Sequence, residues 1–204
     1  MIPTHVRSLL IVVSAPSGAV KTTLCDRLLG EFHSSMIYSI SCTTRAPREG
    51  EEDGREYFFL SEATFRAKLA AGEFIEHAQV HGNLYGTLKR FIDRGFSSGR
   101  DVLMDLDVQG AAQIRDYIAR APAGDPIKSA FVDIFVGPPS IETLRKRLEG
   151  RGKDSQEVIE RRLRQAEEEL SHWKKYRYFV LNDRLDASYD ALRSIIIAER
   201  HRIV

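Results

Sequence analysis

Ten residues near the amino end, SAPSGAVKTT from Ser14 to Thr23, set a lysine beside hydroxyl side chains after a short polar stretch. Phosphate is the natural ligand of such a segment. Backbone N–H groups at a helix start converge on its oxygens, a lysine adds charge, and a Ser or Thr hydroxyl holds Mg²⁺. The pattern G-x-x-x-x-G-K-[ST] would place glycine at Ala15 and Val20, followed by Lys21 and Thr22. Only Lys21 and Thr22 fit, although Gly18 keeps backbone freedom, and Ser14, Pro16 and Ser17 are loop-forming types. A β-branched residue held at positive φ costs about 1–3 kcal/mol, so Val20 is the departure that matters. A strand-to-helix turn that happens to contain Lys-Thr is the competing reading.

A second constellation lies in SISCTTRAPREGEEDGREYFF, where Ser41, Arg45, Arg48 and Tyr57 gather a hydroxyl, two guanidinium forks and a phenol. Planar forks make bidentate contacts to the oxygens of a phosphate monoester. A solvated polar loop accounts for the same composition. In FIEHAQVHGNLYGT, Glu76 precedes Tyr85 and Thr87. A carboxylate accepts from the ring N–H and amine of guanine, groups that adenine does not offer in that arrangement.

The elements that must carry these residues follow from periodicity. LLIVV, Leu9 to Val13, is a continuous apolar run suited to a strand buried on both faces, and it runs straight into the phosphate-type loop. KTTLCDRLLGEF then has Leu24, Leu28 and Leu29 at helical spacing, with Gly30 expected to end the helix. DVLMDLD, AFVDIFV and YFVLND read as further buried strands, separated by helices at QGAAQIRDYIARA, PSIETLRKRLEG and a long run near 155–175. This alternation predicts an α/β fold, a parallel sheet flanked by helices, with its site at the carboxyl ends of the strands. Residues 39–89 are polar and turn-rich, with hairpin signals, and are expected to form a lobe inserted into a core of 1–38 and 90–204. The charged stretch within 138–168 is expected to form a lid, with Asp154 and Glu157 spaced to start its second helix.

The bulk composition leaves only local sites available. The 204 residues are 43% hydrophobic, enough for one core with inserted lobes, and carry 30 Lys and Arg against 29 Asp and Glu. That balance excludes the global charge that drives non-specific nucleic-acid or membrane binding. Cys25 and Cys42 have neither metal-ligand spacing nor disulfide density, and are expected to be reduced thiols. The apolar run at the start is too short for a signal core or a membrane span, so a cytoplasmic protein is expected.

Five segments taken together, SCTTRAPREGEEDGREYFF, FIEHAQVHGNLYGT, LMDLDVQGA, RLEGRG and VLND, resemble the guanylate kinase family in order and spacing over nearly the whole chain. The loop is similar to the family's S-[GA]-P-S-G-[AS]-G-K-[ST], with Val20 its one departure. The resemblance implies a P-loop kinase core, a GMP-binding lobe and a helical lid. It implies transfer of the γ-phosphoryl group of ATP to GMP with Mg²⁺, in purine nucleotide metabolism. Residue by residue, it implies that Ser14, Ala15, Pro16, Ser17, Gly18, Ala19, Val20, Lys21, Thr22 and Thr23 bind ATP, with Thr22 toward the metal and Asn182 on the adenine side. Ser41, Arg45, Arg48, Tyr57 and Tyr85 would hold the GMP phosphate, while Glu76 and Thr87 read guanine. Asp105 would touch the guanine edge, and Asp107 would link to Mg²⁺ through water or orient an arginine. Lys21, Arg45, Arg147, Arg151 and Arg162 would neutralise charge during transfer. ATP and GMP are then the partners of a monomer or small homo-oligomer, without nucleic acid or membrane. The alternative is a guanylate-kinase-like binding module of weak or absent catalysis; within the enzyme reading, Val20 is expected to slow transfer.

Overall fold

The structure is a computed structural model, and it describes residues 7–16, 18–19, 21–80, 82–150 and 155–203. The apolar run becomes strand β1 (Leu10–Ser14), every residue of it buried. It lies at the centre of a five-stranded parallel sheet with β2 (Met36–Tyr38), β7 (Asp101–Asp105), β8 (Phe131–Gly137) and β9 (Tyr178–Leu181), in the order β2-β7-β1-β8-β9. Pairing of Val13 with Asp105 and of Ser14 with Phe135 brings the ends of β1 and β7 level at the carboxyl edge, with β8 running two residues further. A strand with neighbours on both sides and helices on both faces has no polar face to show, which is why LLIVV lacks alternation.

Two apolar layers cover the sheet. On one face Ile11, Val13, Ile134 and Val180 pack against Leu24 and Leu28 of α1 (Lys21–Glu31) and Leu192 and Ile196 of α8 (Leu185–Arg200). On the other, Val12, Met104 and Phe135 meet Ile92 of α3 (Lys89–Ser97) and Ile114 of α4 (Val108–Arg120). The short helix α5 (Pro126–Ala130) leads into β8. Helix α1 runs through the exposed Gly30 and ends only at Glu31, correcting the expected stop. Glycine there meets nothing, and the chain turns back through the Met36 N–H to Phe32 carbonyl bond instead.

Residues 42–88 build a second sheet, order β4-β3-β6-β5, from β3 (Cys42–Thr43), β4 (Phe58–Phe59), β5 (Phe74–Val80) and β6 (Asn83–Leu88). It has a small core of its own, in which Phe65 of α2 (Glu62–Ala70) stacks on Phe74 at 4.3 Å. Gln113 of α4 clamps it to the main body, accepting from the His77 N–H at 3.0 Å and donating to the His77 carbonyl at 2.7 Å. Helices α6 (Ile141–Gly150) and α7 (Gln156–Ser171) pack through Leu144, Leu148, Ile159 and Leu163 and are bridged by Arg145 and Glu160 at 2.5 Å. The cap of α7 is Ser155, whose hydroxyl accepts from the Val158 N–H; the expected Asp154 lies outside the described residues. A 3₁₀ turn, Trp173–Lys175, joins α7 to β9. Cys25 and Cys42 are free and buried, and burial pushes the Cys42 thiol up to about 11.

Candidate active site

The end of β1 opens into the loop that the sequence singled out. Ser14 is not a loop residue: it closes the strand, fully buried, and its hydroxyl donates to the Asp107 carbonyl at 3.4 Å. A turn follows, closed by the Ala19 N–H to Pro16 carbonyl bond at 3.0 Å, with Gly18 at φ +92°. L side chains rarely adopt that value, and a Cβ there would stand 3.0 Å from Leu148 Cδ2 and 3.1 Å from Leu144 Cδ1. Gly18 therefore serves both the turn and the seat of α6. Ala15 and Ala19 are buried, so this part of the loop offers a ligand backbone, not side chains.

Lys21 begins α1. Its Nζ lies 2.5 Å from Asp105 Oδ1 and donates to the Leu106 carbonyl at 2.7 Å, which accounts for two of its three donors among the described residues. Thr22 and Thr23 are exposed in the first turn. Asp107 caps α4 by accepting from the Gly110 N–H at 2.8 Å.

In the second sheet, Glu76 and Thr87 face each other across β5 and β6. Thr87 Oγ1 lies 2.6 Å from Glu76 Oε1 and 3.1 Å from Ser41 Oγ, forming a chain of a buried carboxylate, a buried hydroxyl and a half-buried one. A Cβ added at Gly110 would stand 3.3 Å from Glu76 Oε2 and 3.5 Å from Asp107 Oδ1, so both carboxylates flank the same bare backbone. Burial raises the Glu76 pKa; the Thr87 hydroxyl opposes that shift and the charge of Asp107 adds to it. Nearby, Arg45 lies over the Tyr57 ring at 5.5 Å, and Tyr57 meets Tyr85 edge to face at 5.9 Å. Glu51 holds Arg45 Nη2 at 2.9 Å and accepts from the Arg48 N–H at 2.8 Å, leaving the Arg48 side chain exposed.

A family model for guanylate kinase matches residues 7–199. The chain belongs to the guanylate kinase family. It is 48% identical over 196 residues to the guanylate kinase of Ruegeria pomeroyi, spanning 96% of this chain and 88% of that one. It is 45% identical to the guanylate kinase of Hahella chejuensis, spanning 97% and 89%. The crystal structure of guanylate kinase from Anaplasma phagocytophilum superposes with a TM-score of 0.72 at 29% identity, covering 97% of this chain and 88% of that chain. The chain is thus a kinase with the α/β fold of guanylate kinases. Neither a binding module without catalysis nor a transfer slowed at Val20 is borne out, since relatives matched over nearly full length are guanylate kinases.

Set against that family, the expected residues divide into groups. Ser41, Glu76 and Thr87 form one cluster, and Arg45, Tyr57 and Tyr85 another beside it. Asp105 is not at the Glu76–Thr87 cluster; it is the ion partner of Lys21, and Asp107 stands next to Glu76 instead. The reason is positional: Asp105 ends β7 level with the loop strand, while Asp107 turns onto the start of α4. Asn182 is only 2% exposed and bonds the loop, leaving no open edge for a purine. Arg147 on α6 donates through Nη2 to the Asn182 carbonyl at 2.8 Å, while its Nη1 is buried with no partner among the described residues. Arg162 is half-buried on α7. Ser17, Val20 and Arg151 lie outside the described residues. Glu51 escaped the sequence reading, hidden in an acidic loop where nothing marks one carboxylate from the next.

Proposed function

We propose that the chain transfers the γ-phosphoryl group of ATP to a phosphate oxygen of GMP, giving ADP and GDP. The observation that carries this reading is the Glu76–Thr87–Ser41 chain, with Glu76 and Thr87 buried, beside the Arg45–Tyr57–Tyr85 group. One cluster offers acceptors for a guanine edge, with Asp107 as neighbour, and the other offers a cation and phenols for a phosphate. Guanine matches an acceptor-rich pocket; adenine would leave Glu76 facing no donor and so be rejected strongly. Arg48, exposed on the same loop, adds the second fork.

The loop from Ser14 to Thr23 would hold the ATP phosphates on backbone N–H groups, and the third donor of Lys21 is what a phosphate oxygen would take. Thr22, in the first turn of α1, and water-mediated contact from Asp105 or Asp107 fit Mg²⁺, which keeps several of its ligands as water and phosphate oxygen. That ion would supply charge neutralisation to the transferring phosphates. Arg147 fits the same task, because its Nη1 donors have no acceptor among the described residues; Arg151 and Arg162 follow it on the lid segment. Transfer of this kind needs positioning and charge stabilisation, and no covalent phosphoenzyme. The accepting oxygen is already anionic near neutral pH, so no side chain has to remove a proton.

The lobe of residues 39–89 and the lid of 138–168 would close on the core of 1–38 and 90–204 and exclude water, which otherwise accepts the phosphoryl group. Both substrates being soluble nucleotides, we assign the work to the cytoplasm and to a monomer or small homo-oligomer, with no role for nucleic acid or membrane. Turnover with ATP, Mg²⁺ and GMP, with AMP as the control acceptor, tests the proposal. GDP formation with negligible ADP from AMP is expected; equal use of AMP, or no transfer to GMP, would overturn it.

A further inference from the structure

We infer that Asn182 is a positioning residue that holds the phosphate loop and Arg147 in one register, and does not read the base of the phosphoryl donor. Asn182 follows β9 at the carboxyl edge, where its N–H donates to the Gly137 carbonyl at 2.7 Å and extends the β8–β9 pairing by one bond. Its side chain crosses to the loop: Nδ2 donates to the Ala19 carbonyl at 2.7 Å, between buried groups 163 residues apart. Only the amide nitrogen can face a carbonyl, so this bond fixes the orientation of the amide. Its Oδ1 then turns toward the Ser188 hydroxyl at 3.3 Å, a weaker contact because that hydroxyl lies closer to the Arg184 carbonyl at 2.8 Å.

The main chain of the same residue does a second task. Arg147 Nη2 donates to the carbonyls of Asn182 and Asp183, at 2.8 and 3.2 Å. One residue therefore indexes the loop through its side chain and the lid-helix arginine through its backbone. The loop needs such an anchor. Gly18 gives it freedom, and among the described residues its only backbone closure is the Pro16–Ala19 turn. Pinning the Ala19 carbonyl holds the residue that ends that turn.

This inference rests on the reading of the loop as the ATP site, and the test separates the two. In Asn182→Ala, kcat/KM for ATP is expected to fall by about 10–100-fold, the scale of an ångström-level misplacement. KM for GMP should stay within about twofold, and the fall should be the same factor with GTP as donor. A change in the ratio of ATP to GTP use would show base reading and overturn the inference, as would unchanged kcat/KM for ATP. Asn182→Asp supplies a second readout that bulk stability does not mimic. Its carboxylate would meet the Ala19 carbonyl acceptor to acceptor, whereas the protonated acid restores a donor. The ratio of variant to parent kcat/KM should therefore rise as pH falls from 8 to 5.5; a flat ratio would sink the donor role. If the parent chain makes no GDP from ATP and GMP, the failure belongs to the proposed function, not to Asn182.

Discussion

Glu76, proposed above to read guanine, is also a residue whose burial costs stability. Buried to 5% exposure, its carboxyl holds a proton more tightly in the folded chain than in the unfolded one, because desolvation outweighs the Thr87 bond. The folded state then binds more protons over the window from the ordinary glutamate value up to the raised one. Stability falls as pH climbs through that window and carries the full cost above it. Glu76→Gln removes the cost while keeping an acceptor for Thr87. Its thermal midpoint is expected above that of the parent at pH 7 and equal to it below about pH 4. The same variant should raise KM for GMP by about tenfold or more, because an amide cannot accept from both guanine donors as a carboxylate does. Parallel melting curves at the two pH values would contradict the first claim, and an unchanged KM the second. The company of Glu76 was legible in the sequence because a carboxylate in a hairpin with Thr87 meets it across the two strands. Which of Asp105 and Asp107 joins it was not legible. Two positions apart in DLD, they are separated only by the end of a strand and the cap of a helix.

At the scale of elements, the phosphate loop and α6 are fitted to each other at Gly18. Gly18→Ala would place a Cβ against Leu144 and Leu148 in a backbone region costing about 1–3 kcal/mol for an L side chain. We expect a lowered unfolding midpoint together with a raised KM for ATP, measured in the same preparation; a neutral melting curve would mean that the loop does not lean on α6. The long apolar or amphipathic elements β1, β7, β8, β9, α4, α6 and α7 could be read from the sequence because each contains enough residues to display a period or a continuous run. Strand β2 could not. Its three residues owe their conformation to pairing of Met36 with Asp101 and of Tyr38 with Leu103, contacts made 65 residues away in sequence. The two-residue strands β3 and β4 are likewise products of the sheet they join. The family resemblance puts Asn182 on the adenine side, but its bond to Ala19 depends on tertiary closure that no local pattern encodes.

Across the whole molecule, the amino edge of the sheet is fastened by charge where the carboxyl edge is kept for chemistry. Glu199, 2% exposed near the end of α8, receives Arg7 Nη2 at 2.9 Å, Arg202 Nε at 2.9 Å and the Tyr178 hydroxyl at 2.6 Å. Its pKa is lowered: burial, the largest influence, pushes it up, but the Tyr178 and Arg202 hydrogen bonds and the nearby arginines together outweigh that. A depressed carboxylate stabilises above the unfolded value, and that contribution is lost as pH falls through the folded one. Glu199→Ala is expected to destabilise by about 2 kcal/mol at pH 7, below the 3–5 kcal/mol of a fully buried pair because Arg202 is partly solvated. The difference should shrink below pH 4, and kcat measured well under the melting temperature should not move. A large fall in kcat would show that the two edges communicate. The strand order also has a consequence for synthesis. β1 leaves the ribosome early, but its partners β7 and β8 begin about 90 and 120 residues later, and the residue that pins its loop later still. At roughly 5–20 residues per second, the most apolar strand of the sheet waits unpaired for several seconds or more. A chain cut short before Asn182 would carry the nucleotide loop without its anchor, so birth of the active site coincides with near completion of the polypeptide.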